Sequence, residues 1–139
     1  MSLQSQTPLL ERIGTGLLAA APDSAWAKLN LVLTGAGGML ESGLEVVDDG
    51  GVANRMHEID DDTLEACMEL RDTMQQPGTG TWYNARLTVD RQGSLEVEFD
   101  YDNPPFDGDF EPELLINDQA EFPRDPEHLP DWHPSKRAG

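Results

Sequence analysis

"TWYNARLTVDRQGSLEVEFDY", residues 81–101, sets the fold class of this chain. Trp82, Asn84, Arg86 and Thr88 alternate with Tyr83, Ala85, Leu87 and Val89. After Asp90–Gly93, Leu95, Val97, Phe99 and Tyr101 alternate with Glu96, Glu98 and Asp100. A period of two places successive side chains on opposite faces of a pleated strand. Two such runs around a glycine-bearing turn predict an antiparallel hairpin over Trp82–Val89 and Leu95–Tyr101. The second run aims three acids at one face, with Arg86 available to pair across to one of them.

The pattern extends upstream. Leu29, Leu31 and Leu33 alternate as a first strand, "TGAGG" (34–38) is a turn, and "MLESGLEVV" (39–47) is a second strand with a bulge expected at Ser42–Gly43. "DDGG" (48–51) signals another hairpin leading into a third strand over 52–57. Glycines alone do not make a phosphate loop: "GAGG" lacks the G-x-G-x-x-G spacing and a following helix.

Two helices flank these strands. Thr7–Pro8 reads as an N-cap and first helical residue, with Leu9, Leu10, Ile13, Leu17 and Leu18 on one stripe. Asp60, Asp61 and Asp62 precede a helix whose expected buried face carries Leu64, Cys67, Met68 and Met74. A short helix is expected at 111–118. The expectation is one α+β domain over 1–139: an antiparallel sheet of about four to five strands with helices packed on one face. Residues 1–6 are expected to be disordered. The proline-rich segment 123–139 is expected as an aperiodic tail, anchored together with the preceding Phe122 by Leu129 and Trp132.

Charge narrows the function. Among 139 residues, 27 Asp and Glu oppose 9 Lys and Arg, a formal net charge of -18. Such a field steers cationic partners and repels nucleic acid and anionic membrane. No run approaches the ~20 apolar residues that span a bilayer, and no signal-peptide pattern opens the chain, so the expected compartment is the cytoplasm. Cys67 is the sole cysteine, which leaves no disulfide within this chain and no cysteine-rich zinc site.

The acids crowd after the hairpin, in "VEFDYDNPPFDGDFEPE" (97–113). A calcium loop beginning at Asp100 would put Pro104 and Pro105 where the EF-hand needs a ligand and then glycine, so no specific divalent site is expected there. His57, His128 and His133 lack H-E-x-x-H or helical i, i+4 spacing. Paired-carboxylate hydrolysis needs one acid kept neutral by burial, whereas these acids fall in turns and on outward positions. The reading is therefore non-catalytic, with no cofactor and no metal. A metal-dependent hydrolase at Asp100–Glu111 is the least favoured alternative.

Residues 80–102, "GTWYNARLTVDRQGSLEVEFDYD", resemble the YezG-like immunity proteins, antitoxins encoded beside secreted polymorphic toxins of bacteria. "PDSAWAKLNL" (22–31) also resembles that family, with Pro and Trp before the first strand, and the order of elements agrees from Leu9 to Phe122. The C-terminal "FPRDPEHLPDWHP" (122–134) departs from it. The resemblance implies an inhibitor of a cognate toxin, a nuclease in the better-known members. The charge argument is compatible, because a nuclease cleft is basic and carboxylates can occupy it. The expected partner-binding residues are Asp100, Asp102, Phe106, Asp107, Asp109, Phe110 and Glu111. Trp82, Tyr83 and Tyr101 are candidate aromatic anchors beside Phe106 and Phe110; each of the five also has a core reading, favoured more for Tyr101 and Trp82 than for Phe106 and Phe110. The alternative is an acidic adaptor for another basic protein.

Overall fold

A computed structural model of the chain describes residues 3–22, 25–57 and 59–138. Its sheet comprises β1 (Lys28–Ala36), β2 (Met39–Val47), β3 (Ala53–His57), β4 (Asn84–Asp90) and β5 (Leu95–Asp100). The strands lie in the order β3-β2-β1-β4-β5, with antiparallel neighbours throughout. Helix α1 (Leu3–Ala20) precedes the sheet, and α2 (Asp61–Thr73) connects β3 to β4. After β5 come a 3-10 turn (Pro105–Gly108), α3 (Pro112–Glu121), a second 3-10 turn (Pro126–His128) and α4 (Pro134–Ala138). This is the expected α+β class with a five-stranded antiparallel sheet.

The central strand decides which face is covered. Leu29, Leu31 and Leu33 of β1 are fully buried, beside Leu44 and Val46 of β2 and Ala85, Leu87 and Val89 of β4. Ile13 and Leu17 of α1 and Ala66, Cys67 and Leu70 of α2 complete that core. Burying these side chains supplies the main driving force for the fold. It also pushes the Cys67 thiol up to about 12, so the thiol stays protonated and unreactive. Asp60 caps α2 by accepting a 2.8 Å hydrogen bond from the Thr63 N–H.

The details correct several expectations. Helix α1 begins at Leu3, so Thr7 does not cap it and Pro8 lies inside it. As the sixth helical residue Pro8 lies past the four N–H groups that have no intrahelical acceptor, so its missing donor costs α1 one i→i−4 bond. Met68 of α2 points outward, 41% exposed, while Thr63, Ala66, Cys67 and Leu70 face inward. Close contact between the helices sets this rotation: a Cβ at Gly16 would collide with the Thr63 hydroxyl. The β1–β2 pairing runs without interruption from Lys28↔Val47 to Ala36↔Met39, and the bulge falls at Leu44/Glu45 on the β3 side. Ser42 therefore stays paired opposite Leu33 instead of opening a bulge. The turn itself is only Gly37–Gly38, both with positive φ, as a two-residue hairpin of this twist requires.

At the start of β4 the alternation breaks. Trp82 joins the main core beside Ala85, whereas Tyr83 turns to a second cluster with Ala36 and Leu115. Trp82 stacks on Phe99 with ring centroids 5.6 Å apart. Strand pairing begins at Asn84, so the hairpin is the expected one, two residues shorter at its entry.

Two buried arginines tie the C-terminal third to the sheet. Arg71 of α2 donates from Nε to the Trp82 carbonyl and from Nη1 to Asp118 Oδ1 of α3, each at 2.8 Å. The same Asp118 oxygen accepts the Gly37 N–H at 3.0 Å. Arg124 donates to the Tyr101, His128 and Thr81 carbonyls. Its guanidinium also lies 4.3 Å from the Tyr83 ring centroid. The segment after Phe122 is therefore anchored by Arg124 and His133, both buried, as well as by the expected Trp132.

His133 is fully buried, and its Nδ1 accepts the Ser135 N–H at 3.0 Å. Burial lowers its pKa, nearby Arg124 adds to that effect, and Asp118 and the Leu115 backbone oppose it. The unfolded chain, with a histidine pKa of about 6.5, thus takes up this proton first as pH falls. Its stabilising contribution is complete above that value and declines as the pH drops below it. We predict that His133→Asn, whose amide oxygen can replace Nδ1 as acceptor, flattens this part of the stability profile. Urea unfolding midpoints between about pH 7.5 and 5.5 test it; an unchanged slope would exclude His133 as its source.

Candidate functional site

The face of the sheet opposite α1 and α2 is only partly covered. Its residues are Asn30, Val32 and Thr34 of β1, Glu41 and Glu45 of β2, Asn84, Arg86 and Thr88 of β4, and Glu96 and Glu98 of β5. The Pro104–Leu115 segment crosses one end of this face. Asn84 Nδ2 donates to the Asn103 and Pro104 carbonyls at 3.1 and 3.3 Å. The Phe106 N–H donates to Thr34 Oγ1 at 2.7 Å. Two side chains of the sheet thus hold the acidic corner in place.

Between corner and sheet lies a concavity of about 450 Å³. Val32, Thr34, Gly43 and Asn84 line it from the sheet, with Phe106, Phe110 and Leu114 on the opposite side. Met39, Glu41, Ser42, Asp107, Asp109 and Glu111 complete the lining, which includes no lysine or arginine. The four acids are exposed, and none of their carboxylates has a hydrogen bond or ion pair among the described residues. Met39 is 49% exposed beside them. Apolar walls and unpaired carboxylates suit a cationic group with an apolar stem.

Phe106 and Asp107 both adopt the left-handed conformation, with φ of 57° and 55°. For two successive side-chain-bearing residues this is strained backbone. The hydrogen bond to Thr34 and the packing of Phe110 and Leu114 against the Tyr83–Leu115 cluster hold the conformation.

The seven residues singled out from the sequence divide into two groups. Phe106, Asp107, Asp109, Phe110 and Glu111 line the cup together. Asp100 does not. It caps its own turn, accepting hydrogen bonds from the Asp102 and Asn103 N–H groups and from Asn103 Nδ2 at 2.8–3.0 Å. Burial pushes the Asp100 pKa up, but the Asn103 side chain and the two backbone donors outweigh it and hold it below the ordinary range. Asp102 lines a different concavity, with Tyr101, Arg124 and His128, and its carbonyl accepts Trp132 Nε1 at 2.8 Å. Phe110 lies 5.7 Å from Trp132, so it serves the second core cluster as well as the cup wall.

Sequence reading missed Glu41, Met39, Val32 and Thr34. The bulge expected at Ser42–Gly43 obscured the face of Met39 and Glu41, and their proximity to residues 106–111 depends on the strand order. On the tail, Asp125, Glu127 and His128 present ligand-type atoms within 4.8 Å of one another, all exposed. His128 Nδ1 lies 3.0 Å from the Gly78 carbonyl. Among the described residues no helix is long and apolar enough to cross a membrane.

The profile of the family described as "Immunity protein YezG-like" matches residues 39–117. That is more than half of the chain, from the first residue of β2 to the middle of α3. This protein belongs to the YezG-like immunity protein family. The match spans the acidic corner and the β2 side of the cup, and leaves out α1, β1 and the tail after α3. A search of curated proteins found no match. For a YezG-like immunity protein, a toxin partner is implied, and an exposed face bearing unpaired acids is the surface to examine for it.

Proposed function

We propose that this immunity protein neutralises a toxin domain encoded beside it by docking the open, acidic sheet face onto a basic surface of the toxin. The observation that carries this reading is the cup itself: four unpaired carboxylates around apolar walls, with no basic side chain in the lining. A nuclease is the toxin class this chemistry suits best, because its cleft must attract phosphate and so attracts carboxylates too. In this reading the chain acts as one domain in the cytoplasm of the producing cell and performs no catalysis. Asp107, Asp109, Glu111, Phe106 and Phe110 bind directly together with Glu41. Asp100 fixes the turn, and Asp102 adds to the field at its edge.

The test is co-expression. The neighbouring toxin domain should arrest growth when expressed alone, and this chain should restore growth and suppress nucleic-acid cleavage by the purified toxin. Restored growth without any nuclease activity to suppress would contradict the toxin class. Failure to restore growth would contradict the reading as a whole.

A further inference from the structure

We infer that the cup is a receptor for one arginine side chain of the toxin, an inference that rests on the docking reading above. The uncovered face of the sheet offers wide negative charge, and in the cup that charge surrounds a concavity with two aromatic walls and no basic side chain. Phe106 and Phe110 supply those walls, and Glu41 and Asp109 come from opposite sides, the strand β2 and the loop before α3. A guanidinium is planar, stacks on aromatic rings and can pair with carboxylates through two parallel N–H donors. Its three-methylene stem needs the apolar surface that Val32 and Leu114 provide. A lysine ammonium is a compact, strongly hydrated charge that gains less from such walls. The volume, about 450 Å³, lies at the small end of the range for ligand pockets and suits a side chain better than a folded element. Corner and strand would thus read one arginine, while the surrounding acids of β2 and β5 guide the approach of the toxin surface that bears it.

Titration of the full chain with Nα-acetyl-arginine amide, followed through backbone amide resonances, tests this. We expect saturable shifts at Thr34, Glu41, Gly43, Asp107 and Asp109, in the millimolar range that suits a single side chain. Nα-acetyl-citrulline amide, uncharged but of the same shape, should give none, and Nα-acetyl-lysine amide should bind several-fold more weakly. The variant Glu41→Gln/Asp109→Asn, altered at exposed positions, should keep the native spectrum and lose at least about fivefold in arginine affinity. Equal shifts from the lysine and arginine probes, or arginine shifts scattered over the acidic surface, would overturn the inference. The co-expression assay separates the two levels. If the double variant protects cells poorly yet no arginine probe binds, the docking face stands and the arginine receptor falls. If it protects as well as the wild type, both fall.

Discussion

Asp118→Ala is expected to destabilise the protein by about 3–5 kcal/mol, the loss typical of breaking a buried ion pair by removing one partner. Both charges are out of solvent, with Arg71 and Asp118 side chains only 5% and 4% exposed and 2.8 Å apart. Removing the carboxylate leaves the guanidinium with the Trp82 carbonyl as its remaining hydrogen-bond partner, although Nη2 already lacks one. It also strips the part-buried Gly37 N–H of its acceptor, which adds a further cost. Since a domain of this size is stable by only about 5–15 kcal/mol, one substitution should remove a large share of the total. The double variant Arg71→Met/Asp118→Leu should be more stable than Asp118→Ala, because it removes both charges while keeping side-chain volume. Urea unfolding measures all three proteins. A loss below about 1 kcal/mol for Asp118→Ala would mean that this pair does not hold α3 to α2 and the β1–β2 turn.

That pair also marks where sequence reading stopped. The β4–β5 hairpin was legible because its alternation and turn are local, and so was the aspartate-led start of α2, though not that Asp60 caps it. Arg71 and Arg124 were not, because charged residues on a helix or in a proline-rich segment read as solvated. Their burial depends on partners far along the chain: Asp118 lies 47 residues from Arg71, and Thr81 lies 43 from Arg124. Trp82 and Tyr83 were assigned by strict alternation, but the chain enters β4 through a bend that sends one ring to each core. The candidate site was half legible for the same reason. Its acids after Pro105 recur at every second residue, Asp107, Asp109 and Glu111, and stay together in space. Glu41 joins them only because β2 lies beside β1, whose Thr34 holds the corner. Asp100 shared their charge and their neighbourhood, yet its carboxylate is engaged by its own turn.

The second large effect concerns binding. Neutralising Glu41, Asp109 and Glu111 together, as Glu41→Gln/Asp109→Asn/Glu111→Gln, should slow association with the toxin domain about tenfold or more at low salt. The three carboxylates are exposed and unpaired, so folding should be unharmed, and relief of repulsion in a chain of charge -18 should if anything raise stability. Met39→Ala provides the matching apolar probe. Met39 is half exposed at the cup and belongs to neither buried cluster. Its loss should therefore act on dissociation and leave the association rate nearly unchanged. Phe110→Ala is less suitable, because that ring also packs on Trp132 and would weaken the second core cluster. Steering depends on charges seen across solvent, and its reach shrinks to about 8 Å at physiological ionic strength. The most direct test is therefore the association rate of wild type and triple variant with the toxin domain, by stopped flow from about 20 to 500 mM salt. The account predicts a steep fall with salt for the wild type, a shallow one for the triple variant, and convergence of the two at high salt. Parallel curves with equal rates at low salt would place the toxin on another surface of the protein.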